Sequence, residues 1–184
     1  MKAVLISIHP KWCDLIAEGK KTVEVRKTKP KLETPFKCYI YCTKPYTGST
    51  EDIFYIYLPP YDTPKQANGK VIGEFVCDRI DEIGFSPEMH GKYISNIEDL
   101  HKVSCVDFEE MFDYIADGYG YGWHISNLVI YGKPRGLSEF HKPCVDIEKC
   151  LNRAFRESGY SLNKCFDCGC RIKRPPQSWC YVEN

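Results

Sequence analysis

Three side chains in one short run are of types and spacing that could do chemistry together: Lys21, Glu24 and Arg26, within Gly19-Lys-Lys-Thr-Val-Glu-Val-Arg26. On a strand, Glu24 and Arg26 share one face and Val23 and Val25 the other. A partly buried lysine with a second lysine beside it can work with a neighbouring carboxylate as a general acid–base pair, Lys21 with Glu24. The same run can instead hold phosphates. Lys20, Lys21 and Arg26 would then contact a nucleic-acid backbone, with Glu24 orienting Arg26. A Lys/Glu/Arg strand face is ordinary and phosphate contacts need only position and charge, which favours binding.

A second group lies between Lys142 and Arg174, where Cys144, Cys150, Cys165, Cys168 and Cys170 fall. Cys165-Phe-Asp-Cys168-Gly169 has zinc-knuckle spacing: two thiolates two residues apart can chelate one ion, and the glycine permits the tight turn. Cys144 and Cys150 are the natural second pair, and Cys170 can replace a member of either. Four protein thiolates make a structural zinc site with no open position for catalysis. The segment is basic and poor in apolar residues, so a metal would order it. The alternative is a loop of free thiols.

The run Gly118-Tyr-Gly-Tyr-Gly-Trp-His124 alternates glycine with aromatics. As a loop it could lay Tyr121 or Trp123 flat on an unpaired base; alternatively the rings simply cover one end of the fold. His124 and His9 are the histidines nearest these elements. Either could assist ribose cleavage or be structural.

The elements that must position these groups read as follows. Val4 to Ile8 is a strand, and Pro10, Trp12, Leu15 and Ile16 mark a short helix that Gly19 stops. A strand starts at Thr22, a loop runs from 28 to 36, and Cys38 to Cys42 alternates as a strand with both cysteines in the core. Further strands are expected over 53–58, 70–80, 128–131 and 179–182, with a polar turn over 63–69. Ser104 followed by Asp107 resembles a capping pattern, and Phe108, Met111, Phe112 and Ile115 share one face of a helix there. The class is α+β, mostly β: about six strands and two short helices form a small closed or nearly closed barrel. Its core should hold Val4, Ile6, Ile8, Val23, Val25, Ile40, Val71 and Val129, with Glu24 and Arg26 on the opposite face of their strand.

A chain of 184 residues with 43% hydrophobic and 14% aromatic content suits one domain, 1–184, with 142–174 as an insertion between the last two strands. Net charge is zero, so the whole molecule is not a polyanion magnet. Residues 1–45 carry ten Lys/Arg against four Asp/Glu, 46–118 five against fifteen, and 119–184 ten against six. Basic ends and an acidic middle would make one face positive if the termini meet. With no signal pattern and no long apolar run, the expected location is cytoplasmic, away from membranes. Eleven cysteines there argue for buried thiols plus a metal site, against a disulfide framework.

The Ser7-Ile-x-Pro10 start and Gly19–Arg26, together with Gly73-Glu-Phe75, Gly122-Trp-His-Ile125 and Pro175-Pro-Gln-Ser-Trp-Cys-Tyr-Val182, resemble the ASCH domains (activating-signal cointegrator homology) of the PUA-like superfamily. The last run looks like the closing strand of bacteriophage-type members. The resemblance spans most of the chain except roughly 144–174. It implies a small PUA-like β-barrel associated with RNA or modified nucleosides, without fixing a reaction. Some small ASCH proteins are amidohydrolases acting on acylated cytidine through a Lys, a Thr and a Glu. Lys21 matches the lysine, Glu24 stands at the threonine's position, and Ser104 falls where the acidic residue would be. One of three survives, so that activity is not carried over. The leading expectation is an RNA-binding module taking RNA or a nucleotide-like ligand through Lys20, Lys21, Arg26, Tyr121, Trp123 and His124. The alternative is an enzyme on RNA or modified nucleosides, a ribonuclease or amidohydrolase using Lys21 and Glu24. A protein-interaction module using the acidic middle is the third.

Overall fold

In the computed structural model, which describes residues 2–45, 53–58, 63–86, 92–115, 118–143 and 170–183, the apolar run Lys2–Ile8 forms β1 and is buried at every position after Lys2. Helix α1 (Pro10–Ala17) follows, with Pro10 in its first turn and Cys13 and Ile16 turned inward. Gly19 ends it at φ 71°, a conformation a residue with a Cβ avoids. Next come β2 (Val23–Arg26), β3 (Phe36–Cys42) and a separate hairpin of β4 (Tyr55–Leu58) and β5 (Thr63–Gln66). Of the turn expected over 63–69, residues 63–66 are thus strand and the turn itself falls at Asn68-Gly69. β6 (Lys70–Ser86), β7 (Lys92–Ser95), α2 (Leu100–Ser104), α3 (Phe108–Tyr114), β8 (Tyr119–Arg135) and β9 (Trp179–Glu183) complete the chain. No helix among the described residues is long and apolar enough to cross a membrane.

The main sheet runs β2-β8-β6-β3-β1-β9, with β7 on the end of β6; β1 and β3 are parallel and the other pairs antiparallel. The expected closed barrel does not form: β2 and β9 are edges, and no backbone ladder joins them among the described residues. Side chains bridge the gap instead. Trp179 Nε1 donates to Thr28 Oγ1 (3.0 Å), the Lys31 amide to the Tyr181 hydroxyl (2.7 Å), and Arg26 Nη1 to Ser178 Oγ (3.4 Å). The segment after β2, with Pro30 and Pro35, takes the place a further ladder would occupy, and proline has no amide to donate to one.

The core has three parts. Val4, Ile6, Ile8, Cys38, Ile40, Cys42, Phe75, Cys77 and Trp123 form the main one, with Cys13 and Ile16 from α1. Burial pushes the Cys13 and Cys38 thiols well up and that of Cys77 up to about 12, so these are inert packing groups. A second cluster includes Val71, Tyr39 and Phe140. The third sits under α2 and α3: Val23, Val25, Ile83, Ile97, Leu100, Val106, Met111 and Ile115.

Two expectations about the core change here. Val23 and Val25 are buried, yet they pack under the helices, while Glu24 lies opposite Trp123 on the main-core side. Both faces of β2 are covered, so alternation could not say which residues faced the sheet interior. Val129 is 50% exposed. The β6–β8 register shifts between Glu74 and Val76, and Asn127 stands at φ 47°, so the bulge resets the alternation before Val129.

From Tyr119 on, the Gly-Tyr-Gly-Tyr-Gly-Trp run is the start of β8 and not a loop. A Cβ on Gly120 would lie 2.7 Å from Ile115 Cδ1, and one on Gly122 would lie 2.3 Å from Ile97 Cδ1. The glycines therefore let the α2–α3 layer sit directly on the sheet. Residues 144–169, including Cys144, Cys150, Cys165 and Cys168, lie outside the described residues. The flanks of that segment are pinned together: Lys142 N donates to Cys170 O (2.8 Å) and Ile172 N to Phe140 O (3.0 Å). Among the described residues, no cluster of three or more His, Cys, Asp or Glu could hold a metal.

Candidate functional site

The turn after α1 separates the two lysines. Leu15 O accepts from both the Lys20 and Lys21 amides, and Thr22 N donates to Val103 O, which fastens the start of β2 to α2. Lys21 then points inward and Lys20 outward. Lys20 is exposed and pairs with Glu18 (2.7 Å), which holds its pKa above the ordinary lysine value. The expected basic corner of two adjacent cations is therefore one buried and one surface charge.

Inside, Lys21 Nζ donates to Ser104 O at 2.5 Å, lies 3.3 Å from Glu24 Oε2, and sits 4.8 Å from the Trp12 ring centroid. Arg26 Nη2 is 2.8 Å from Glu24 Oε1 and donates to Ser7 O at 2.6 Å. Ser7 is itself held from the C-terminal side, its hydroxyl donating to Pro176 O (2.7 Å). The three charged side chains are only 1%, 6% and 9% exposed in the order Lys21, Glu24, Arg26. Two cations against one carboxylate leave a net positive charge under cover, which is costly unless something completes it. Glu24 Oε2 and Arg26 Nε make no hydrogen bond.

These groups line a cavity of about 290 Å³. Ser7, His9, Thr43 and Gln177 give it a polar side; Val106, Met111 and Tyr114 give it an apolar one, and Trp12 an indole. Ser7, Trp12 and Gln177 fall inside runs that sequence alone singled out, while Thr43 and Tyr114 carried no signal beyond lying next to strand and helix ends.

Of the other expected site residues, Trp123 is wholly buried, edge-on to Phe36 (5.9 Å) and near Trp179 (6.0 Å). It has no free face for a base, which corrects the stacking role expected of it. Tyr121 is half-buried, with Lys29 Nζ 4.8 Å from its centroid. His124 faces away from the cavity; its Nε2 lies 2.7 Å from Asp81 Oδ2 and 3.1 Å from Arg79 Nη2. Ser104 does reach the site, through its backbone carbonyl, where resemblance placed an acidic residue.

The strand carrying Glu24 and Arg26, the helix carrying Trp12, and Ser104 all fall within one matched unit: a family model of the ASCH domain covers residues 6–114, more than half of the chain. This protein belongs to the ASCH domain family. No curated protein matches the chain. Among solved structures, the ASCH protein of Zymomonas mobilis is similar at 16% identity and a TM-score of 0.56, over 98% of this chain and 87% of that one. A tyrosine-to-phenylalanine mutant of that protein gives 16% identity and 0.56 over 100% and 91%. A serine-to-alanine mutant of it gives 16% and 0.55 over 98% and 88%. At that identity the likeness is one of fold. The matched ASCH unit ends at Tyr114, so the cavity is almost wholly inside it, whereas Trp123, His124 and the cysteine-rich segment follow it.

Proposed function

We propose that this ASCH domain binds RNA by taking one unpaired nucleotide into the Lys21–Glu24–Arg26 cavity. The observation that carries this reading is the cavity floor: two buried cations sharing one carboxylate, beside an indole. A volume of about 290 Å³ is at the small end of ligand pockets and admits one nucleotide-sized group but no duplex. Both cations are already paired with Glu24, whose Oε2 is left without a hydrogen bond and can accept from the edge of a base. Phosphates fall to the rim, where Lys11 lies 4.2 Å from the Trp12 ring and Lys27 lies 5.4 Å from the Tyr114 ring. Recognition of splayed, stacked bases is the usual route to single-stranded RNA.

The test is fluorescence anisotropy with labelled single-stranded RNA over a salt series. Contacts to about three phosphates give a log–log slope of about −2. Trp12→Ala is expected to weaken binding by about 1–3 kcal/mol, and a duplex of the same length should bind worse. No binding at low salt would overturn the proposal. Turnover of RNA or a modified nucleoside, lost in Lys21→Ala, would move the assignment to an enzyme using Lys21 and Glu24.

From the spacing of the cysteines alone we also propose one structural zinc on Cys165 and Cys168 with Cys144 and Cys150, Cys170 serving as substitute. Elemental analysis of protein purified without chelator should find about one equivalent, lost in Cys165→Ser. Metal-free protein would remove it.

A further inference from the structure

We propose that the outer face of α3 docks a basic, apolar-anchored segment of a protein partner. Two stripes run side by side along that face at i, i+4 spacing, one aromatic and one acidic. Phe108 and Phe112 are 36% and 42% exposed, with centroids 6.3 Å apart and planes 13° from parallel. Phe85 from β6 meets Phe112 edge-on at 4.8 Å, so the ledge is set by the sheet below. Aromatic side chains are enriched at protein interfaces relative to the rest of the surface.

Glu109 and Asp113 form the second stripe, exposed and without an ion-pair or hydrogen-bond partner among the described residues. The other carboxylates of the helix are engaged: Asp107 accepts from the Glu110 amide (2.8 Å), and Glu110 lies 3.5 Å from Lys11 Nζ. Charge decides the occupant. Unpaired carboxylates flanking the rings repel an RNA backbone, and a second copy of this chain would set the same carboxylates against each other. A segment carrying Lys or Arg one turn apart beside a Leu or Phe satisfies both stripes. The ledge is separate from the cavity, which α3 lines with Glu110, Met111 and Tyr114, so RNA and partner would bind together.

The experiment uses the full chain and two synthetic amphipathic peptides, one with lysines and one with glutamates beside the same leucine stripe, read by fluorescence anisotropy. The lysine peptide is expected to bind, less tightly as salt rises, and to stay bound in excess single-stranded RNA. Phe112→Ser should weaken it about tenfold. The double variant Glu109→Lys, Asp113→Lys keeps both rings and should reverse the preference to the glutamate peptide. Thermal melts establish that each variant is folded. Equal binding of both peptides, or a preference unmoved by charge reversal, would overturn the proposal. So would a wild-type dimer that Phe112→Ser turns into a monomer, or RNA binding lost through the same substitution.

Discussion

Glu24→Ala is expected to destabilise the protein by about 3–5 kcal/mol, more than the loss of either of its partners. Glu24 faces Lys21 at 3.3 Å and Arg26 at 2.8 Å, all three under cover. Removing the carboxylate leaves two buried cations with no counter-charge, close enough to repel each other. Lys21→Met has a different outcome. It leaves Glu24 and Arg26 as a balanced pair and orphans one acceptor, Ser104 O, at about 1–3 kcal/mol. Urea unfolding at pH 7 measures both losses on one scale. Equal losses would mean that the net charge of the site is not what its cover makes expensive.

Gly73→Ala should cost about 3 kcal/mol, the upper end of ordinary overpacking. A Cβ at Gly73 would fall 2.4 Å from Val129 O and 3.2 Å from Ile130 Cα, both backbone atoms of the neighbouring strand. The register of β6 against β8 shifts on either side of Gly73, and the backbone of β8 fills the space a side chain there would need. Gly122→Ala is the control. Its added methyl meets Ile97 Cδ1 at 2.3 Å, the far end of a side chain that can rotate. Gly73→Ala should therefore lower the melting temperature further than Gly122→Ala. The reverse order would place the tightest contact of β8 on the helix layer.

The local features of this ASCH domain are written in its sequence. Pro10, the apolar helix stripe and Gly19 mark α1, and the period of two from Val23 puts Glu24 and Arg26 on one face. Those signals depend on φ/ψ preference and side-chain period, which a dozen residues contain in full.

Only the tertiary structure decided which face of β2 meets the main core, because helices cover one side and the sheet interior the other. A strand buried on both faces carries no sequence mark for inside and outside. The same holds for Trp123. Glycines beside aromatics suggest an open loop, yet Gly120 and Gly122 are there because Ile115 and Ile97 press on β8 from residues nearby in space. The split of Lys20 from Lys21 depends on Leu15 O taking both amides, and Val129 faces outward because a bulge resets the period. Which groups share a face is a short-range property of the chain. Which face is covered, and by what, is set by segments up to 169 residues away, as with Ser7 at the cavity wall, whose hydroxyl is held by Pro176 O.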